Sequence, residues 1–263
     1  MMNLFKFKKE KFIFTDQFGN KFWLYDNIDN IKPYQERGSV TDAINVINYI
    51  NKNVTTINVG LDLGANLGGV SVAMWNKASP EGSIYSIEAD PMNIVRLHQN
   101  LSLNNHPQHN ILNIAVADKI GSINLKRFPK NYNGWQTIAK TIANHANDIK
   151  VENVLINTNT LDNLLDFYNL KKIDLIKIDI EGAELMALNS IRDRLLSKSI
   201  KKIIFEVNQL TLEPFNESIK SLLQFWENLP YKLSVVNQDG SLVSMQDCLD
   251  KNLAFYDCVA ELN

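Results

Sequence analysis

The stretch Leu61-Asp62-Leu63-Gly64-Ala65-Asn66-Leu67-Gly68-Gly69 constrains the fold of this chain more than any other. An apolar run, Ile57 to Leu63, leads into it, and Val70 to Trp75 begins a helical pattern after it. A strand that turns through glycines into a helix is the opening unit of a doubly wound α/β sheet. In such sheets, ligands sit at the carboxyl ends of the strands. Gly64 permits the tight turn, and Gly64 and Gly68 let a ligand come close to the backbone. The dinucleotide fingerprint G-x-G-x-x-G is not met, because Asn66 stands between Gly64 and Gly68. Asp62 would also repel a pyrophosphate at close range. It suits a ligand with a cationic amino group.

The rest of the chain continues the alternation of strand and helix. Ser83 to Ile87 reads as the second strand, followed by Asp90 as an N-cap and Pro91 at the first helical position. Ile111 to Val116, Ile173 to Ile178, Lys202 to Val207, Tyr231 to Val236 and Ala254 to Ala260 read as further strands. Leu161 to Tyr168, Ala183 to Leu195 and Ser218 to Leu229 read as helices. The expected fold is Rossmann-like α/β, a mostly parallel twisted sheet with helices on both faces. Phe12-Ile13-Phe14 and Phe22-Trp23-Leu24-Tyr25 form a hairpin ahead of it, and Thr41 to Asn51 a helix. Residues 1–53 are thus expected as an N-terminal hairpin and helix extension. Residues 54–263 form the main domain, with an irregular insertion near 128–150 that carries Tyr132, Trp135 and His145.

Composition narrows the class. The 263 residues carry a formal net charge of −2, so no basic field attracts nucleic acid or an anionic membrane. Met1 to Lys11 contains lysines but no apolar core that would make a secretion signal. No apolar run reaches the ~20 residues that span a bilayer. The cysteines are Cys248 and Cys258, too few for a disulfide framework. These features lead to the expectation of a cytoplasmic enzyme of undetermined oligomeric state.

The second strand ends in Ile87-Glu88-Ala89-Asp90. An acidic residue about 20 positions beyond the glycine turn accepts hydrogen bonds from ribose hydroxyls in nucleotide-binding units. Alone, either feature is ordinary, since glycine turns are common and a lone Glu is usually solvated. The pair, joined by the right secondary structure, points to a nucleoside cofactor with a cationic tail, as in S-adenosylmethionine.

Three stretches resemble the FkbM family of S-adenosylmethionine-dependent methyltransferases. They are Leu61 to Gly68, Ile87-Glu88-Ala89-Asp90-Pro91, and Asp174-Leu175-Ile176-Lys177-Ile178-Asp179-Ile180-Glu181-Gly182-Ala183-Glu184. Asn100-Leu101-Ser102-Leu103-Asn104, Thr160-Leu161-Asp162 and Ile204-Phe205-Glu206-Val207 fit in order and spacing. The likeness covers residues 57–208. It implies O-methylation of a hydroxyl on a sugar, glycan or small metabolite, with polysaccharide biosynthesis as one setting. Gly69-Val70 departs from it, where an aromatic residue is frequent. By the same resemblance, the turn at Ala117-Asp118 borders the adenine ring. An ordinary turn aspartate is an equally good reading of Asp118.

The expected cofactor contacts are therefore Asp62, Gly64, Ala65, Asn66, Gly68, Glu88, Ala89, Ala117, Asp118 and Asp179. The catalytic candidates are Asp179, Glu181 and Glu206, each at or just beyond the carboxyl end of a predicted strand. Methyl transfer to an alcohol needs in-line geometry and a base, and a desolvated carboxylate with raised pKa can serve. The plain alternative is helix capping, worth ~0.3–1 kcal/mol, and Glu184 fits it best. Asp179, Glu206 and Asn208 have the oxygen chemistry for Mg²⁺ or Ca²⁺. The spacing permits a divalent metal without favouring one. His98, His106 and His109 read as surface or capping residues. Two other functions compete with methyl transfer. A nicotinamide-dependent oxidoreductase is opposed by Asp62 and the glycine spacing. A non-catalytic Rossmann binding module is opposed by the full set of cofactor residues.

Overall fold

The strand-forming runs assemble into an eight-stranded sheet around which the helices pack. The computed structural model describes residues 11–25, 34–129, 135–140, 149–246, 253 and 255–263. The sheet is built from β3 (Ile57–Leu63), β4 (Ala78–Glu88), β5 (Ile111–Asn113), β9 (Ile173–Ile178), β10 (Ile200–Asn208), β11 (Tyr231–Val236), β12 (Leu242–Ser244) and β13 (Phe255–Leu262). Their spatial order is β12-β11-β13-β10-β9-β3-β4-β5. From β5 to β10 all neighbours are parallel. β13 runs antiparallel between β10 and β11, and β12 closes the edge as a hairpin with β11.

Helices cover both faces. On one, α4 (Leu161–Phe167), α5 (Glu184–Ser190) and α8 (Ile219–Gln224) bury Leu161, Leu165, Leu188 and Leu222 against Leu63, Ile176, Ile178 and Phe205. On the other, α1 (Ile44–Asn53) and α2 (Gly69–Trp75) bury Val46, Ile47, Ile50, Val70 and Met74 against Ile84, Leu175, Ile204 and Val259. Each such side chain contributes about 1.5–3 kcal/mol when fully removed from water. Local chemistry sets the helix starts. Asp90 accepts from Met92 N–H with Pro91 in the first turn of α3 (Pro91–Leu103), Thr160 accepts from Asn163 N–H, and Ser218 and Ser221 form a capping box.

The N-terminal hairpin is present, as β1 (Lys11–Thr15) and β2 (Lys21–Tyr25). Phe22 and Leu24 pack on Leu97 and Leu101 of α3. The backbone of β2 is also fastened to α3, because Trp23 N–H donates to Asn100 Oδ1 and Lys21 N–H to Asn104 Oδ1. Asn100 Nδ2 in turn donates to the Leu67 carbonyl in the glycine turn.

Some elements differ from the sequence reading. The run Ile111 to Val116 is not one strand. Ile114 N–H turns to the Glu88 carbonyl, and the chain leaves the main sheet. Ala115–Val116 becomes β6 of a separate three-stranded sheet with β7 (Gly121–Arg127) and β8 (Glu152–Asn159). β8 follows the segment expected to be irregular, and most of its polar residues face solvent. The helix expected over Ala183 to Leu195 breaks at Ile191 into α5 and α6 (Arg192–Leu196). The one expected over Ser218 to Leu229 ends at Gln224. Tyr132, His145 and Cys248 lie outside the described residues. Cys258 is buried in β13. Among the described residues, no helix is long and apolar enough to cross a membrane.

Candidate functional site

The order of the sheet reverses between β3 and β9. The chain steps outward through β4 and β5 on one side and through β10 on the other. Such a switch point opens a crevice at the strand carboxyl ends. Two turns meet there, the glycine turn after β3 and the Asp179–Ala183 turn after β9. Asp179 N–H donates to the Leu63 carbonyl, and the N–H groups of Gly64 and Ala65 both donate to the Ile87 carbonyl. The two turns touch so closely that a Cβ on Gly64, whose φ is +75°, would lie 1.8 Å from the Asp179 carbonyl oxygen. Gly68 is also left-handed, at φ +91°. Asn66 adopts φ +48°, which asparagine tolerates better than most residues.

Asp62 lies beneath the first turn with no exposure. Its Oδ2 accepts from Ser71 Oγ at 2.6 Å, and Ser71 Oγ accepts from Ser86 Oγ at 2.8 Å. Its Oδ1 has no hydrogen bond and stands 3.6 Å from Lys177 Nζ. Burial pushes the Asp62 carboxyl up, while Lys177 opposes that. Lys177 Nζ is 3.1 Å from Asp179 Oδ2, and it donates to the Gly64 carbonyl at 3.2 Å. Burial pulls the Lys177 ammonium down, but Asp179 and Asp62 more than reverse this and hold it charged.

Glu88 ends β4 and is also buried. Its Oε2 accepts from Asn66 N–H and its Oε1 from Asp90 N–H, both at 2.7 Å. Burial raises it to about 7 against the pull of those two bonds. Asp90 is held by Arg127 of β7, whose Nη2 lies 2.5 Å from Oδ1 and whose Nε donates to Oδ2 at 2.9 Å. Ala65 and Ala117 are buried, Ala89 is half-buried, and Asp118 is exposed on the turn between β6 and β7.

The second turn is acidic. Glu181 holds φ +56°, and its carbonyl accepts from Thr137 Oγ1. A left-handed backbone at a non-glycine residue in a cleft costs about 1–3 kcal/mol and tends to accompany function. Burial, then Asp179 and Glu184, raise the Glu181 carboxyl well above its ordinary value. Glu184 accepts from Ile180 N–H and Gly182 N–H, so it does cap the turn, and burial lifts it to about 7. Glu206 of β10 faces the same charges, and burial together with Asp179 and Glu181 raises it strongly. Its Oε2 is buried without a hydrogen bond. Asn208 instead caps α7 (Gln209–Leu212), accepting from Leu210 N–H. Among the described residues, no group of three or more His, Cys, Asp or Glu side chains is arranged to hold a metal ion.

The crevice therefore brings Asp62, Gly64, Asn66, Glu88, Asp179, Glu181 and Glu206 around one switch point, while Asp118 stands on the smaller sheet. A family model described as the FkbM methyltransferase domain matches residues 62–233, well over half of the chain. The chain belongs to the FkbM methyltransferase family. The sheet of this FkbM protein, with β13 antiparallel between β10 and β11, has the Rossmann-like class I methyltransferase order. Among solved structures, it is similar to a precorrin-6y C5,15-methyltransferase from Geobacter metallireducens. That match has 16% identity and a TM-score of 0.46, covering 85% of this chain and 90% of that one. It is also similar to a putative O-methyltransferase from Klebsiella pneumoniae, at 13% identity and a TM-score of 0.45, covering 89% of each chain. An O-methyltransferase from Bacillus cereus in complex with SAH matches at 11% identity and a TM-score of 0.46, again over 89% of each. No curated protein matches the chain.

Several residues of the crevice are not singled out by the sequence reading. Lys177 is quoted there only as part of the family stretch. A lysine inside the apolar run Ile173 to Ile178 is nonetheless a signal, since a charge in a core strand needs partners. Ser71, Ser86, Arg127 and Asp257 carry no comparable local signal, because their partners come from distant strands.

Proposed function

We propose that this FkbM protein transfers a methyl group from S-adenosylmethionine to a neutral hydroxyl of a sugar, glycan or small metabolite. The observation that carries the reading is the pair of carboxylate-lined turns at the β3–β9 switch point. The residues present fit the cofactor. Asn66 Oδ1 is a buried acceptor without a hydrogen bond in the glycine turn, suited to a donor on the ligand, while the enclosed Asp62 and the Lys177 ammonium set the charge beneath that turn. Gly64 and Gly68 keep the glycine turn tight, since a Cβ on either would strike the Asp179 carbonyl or the Leu97 side chain. Glu88, preset by two backbone N–H groups, keeps lone pairs for ribose hydroxyls. Ala65, Ala89 and Ala117 offer small apolar surface to the nucleoside, and Asp118 borders its far side.

S-adenosylmethionine, when bound, supplies a sulfonium methyl that the acceptor oxygen takes in exchange for its own proton. Glu181 and Glu206 are the residues proposed to take that proton, since both have raised affinity for one. Asp179 orients the methionine end or the acceptor. Proximity and orientation supply much of the rate in such a site, and the protein acts as a template. The cytoplasm, where the cofactor is made, is the proposed setting.

Calorimetric titration with S-adenosylhomocysteine tests the cofactor half of the reading, and saturable binding is expected. No heat at near-millimolar ligand would sink it. Transfer of radiolabel from S-adenosylmethionine to a panel of glycans and hydroxylated metabolites tests the acceptor half.

A further inference from the structure

Lys177 stands at the seam between the two strands that define the crevice. In the parallel register of β3 and β9 it is the direct partner of Asp62. Only 4% of the residue is exposed. Its ammonium reaches Asp179 Oδ2 at 3.1 Å, Asp62 Oδ1 at 3.6 Å, the Gly64 carbonyl at 3.2 Å and the Leu63 carbonyl at 3.4 Å. One buried cation thus touches both turns of the switch point. Desolvating a lysine costs several kcal/mol, and an apolar side chain of similar length would pack in a strand core without that cost. The fold itself therefore supplies no reason for a charge here.

The two carboxylates beside it differ in access. Asp62 is wholly enclosed, with Ser71 on its other oxygen. The Asp179 side chain keeps 27% of its surface exposed. Asp179 can meet a ligand, and Asp62 cannot do so without rearrangement. The carboxyl groups that act on Lys177 are Asp179 at the end of β9, Asp62 on β3 and Asp257 on β13, with Glu88 at the end of β4 and Glu181 in the second turn also within its field.

We propose that Lys177 is a positioning residue. Its ammonium, balanced from below by Asp62, holds the Asp179 carboxylate and the Gly64 carbonyl in one fixed relation, so the cofactor turn and the acceptor-side turn are set together. This rests on the methyltransferase reading above. Asp62 then acts through Lys177 and not by touching the methionine tail.

The test compares Lys177→Met, the double variant Asp62→Asn with Lys177→Met, and Asp179→Asn. Each is followed by thermal unfolding, by S-adenosylhomocysteine titration, and by amide exchange at residues 63–66 and 179–182. Lys177→Met strands two carboxylates and is expected to lower both the melting temperature and the affinity. The double variant removes the buried charge pair cleanly and is expected to regain most of the melting temperature. Its affinity should stay at least about tenfold below that of the parent protein, a loss of about 1.4 kcal/mol, with faster exchange at both turns. Asp179→Asn should match that affinity loss, and adding Lys177→Met to it should weaken binding no further. A double variant with parental affinity and parental exchange would overturn the proposal, leaving Lys177 as a charge balance for Asp62 alone. Parental affinity in Asp179→Asn would overturn it too. If the parent protein binds no S-adenosylhomocysteine, the cofactor reading fails on its own. Unchanged exchange at the two turns then separately overturns the holding role of Lys177.

Discussion

Glu206 and Asp257 are direct partners across the antiparallel pair β10–β13, so two carboxyl groups face each other at the rim of the crevice. Like charges opposed across a sheet are destabilising. Asp257 Oδ2 accepts from Asn45 Nδ2 at 2.7 Å, which relieves only part of the strain. Burial, with Asp179 adding to it, raises Asp257 to about 6.

The sign follows from that rise. A carboxyl whose folded pKa is raised stabilises the fold while it is neutral, and that contribution is lost as pH climbs through the folded value. For Asp257 the loss runs from about pH 4 to about pH 6 and amounts to about 3 kcal/mol at most. Asp257→Asn keeps a partner for Asn45 and removes the ionisation. It is expected to melt several degrees higher than the parent at pH 8, with the difference shrinking by pH 5. Thermal unfolding at the two pH values checks this. An equal gap at both would show that the opposition of charges is not the cause.

Glu88 gives a second pH effect, this time on binding. At about 7 in the free protein, a good part of it is protonated at pH 6. Ribose hydroxyls bind the carboxylate better than the acid, so S-adenosylhomocysteine affinity should rise between pH 6 and pH 8. Glu88→Gln should lose about tenfold in affinity, about 1.4 kcal/mol, and flatten that rise. Titration at three pH values is sufficient to see both.

Arg127 joins the smaller sheet to the Glu88 side of the crevice through Asp90, of which only 2% is exposed. Removing one member of a buried pair leaves the other uncompensated, at a cost of about 3–5 kcal/mol. Arg127→Ala should therefore shift the urea midpoint by a corresponding amount and speed protease cleavage around β7. Arg127→Ala with Asp90→Asn should recover much of the loss, since the asparagine still caps α3.

Gly64→Ala should be among the most damaging single changes in the chain. The new methyl would meet the Asp179 carbonyl, and φ +75° is unfavourable for alanine. Circular dichroism and soluble yield are expected to fall together, with about 3 kcal/mol or more lost in stability. A well-folded variant that binds ligand normally would contradict the close contact between the two turns.

The parts of the site that can be read from sequence are those whose chemistry is local. The glycine turn, Glu88 at its strand end, and the Asp90–Pro91 helix start each declare themselves within a few residues. Glu184 as a cap is legible for the same reason. Asp257 and Arg127 are not, because each is defined by partners brought in from other strands, and the place of Lys177 in an apolar run calls for partners without naming them. The split of Ile111 to Val116 escapes a pattern reading as well. Apart from Asn113 its residues are apolar, while the break is made by the Glu88 carbonyl capturing Ile114 N–H and Asn113 Nδ2. The doubly wound sheet itself is legible because alternation of strand and helix over much of the chain leaves few other arrangements.

A single carboxamide, that of Asn100, grips the hairpin with its oxygen and the Leu67 carbonyl with its nitrogen. Clipping the first two dozen residues would therefore do more than trim an ornament. It would strip the apolar cover from α3 and leave the floor beneath Leu67 tethered to a side chain free to swing, so a shortened protein should be judged by ligand grip as well as by yield.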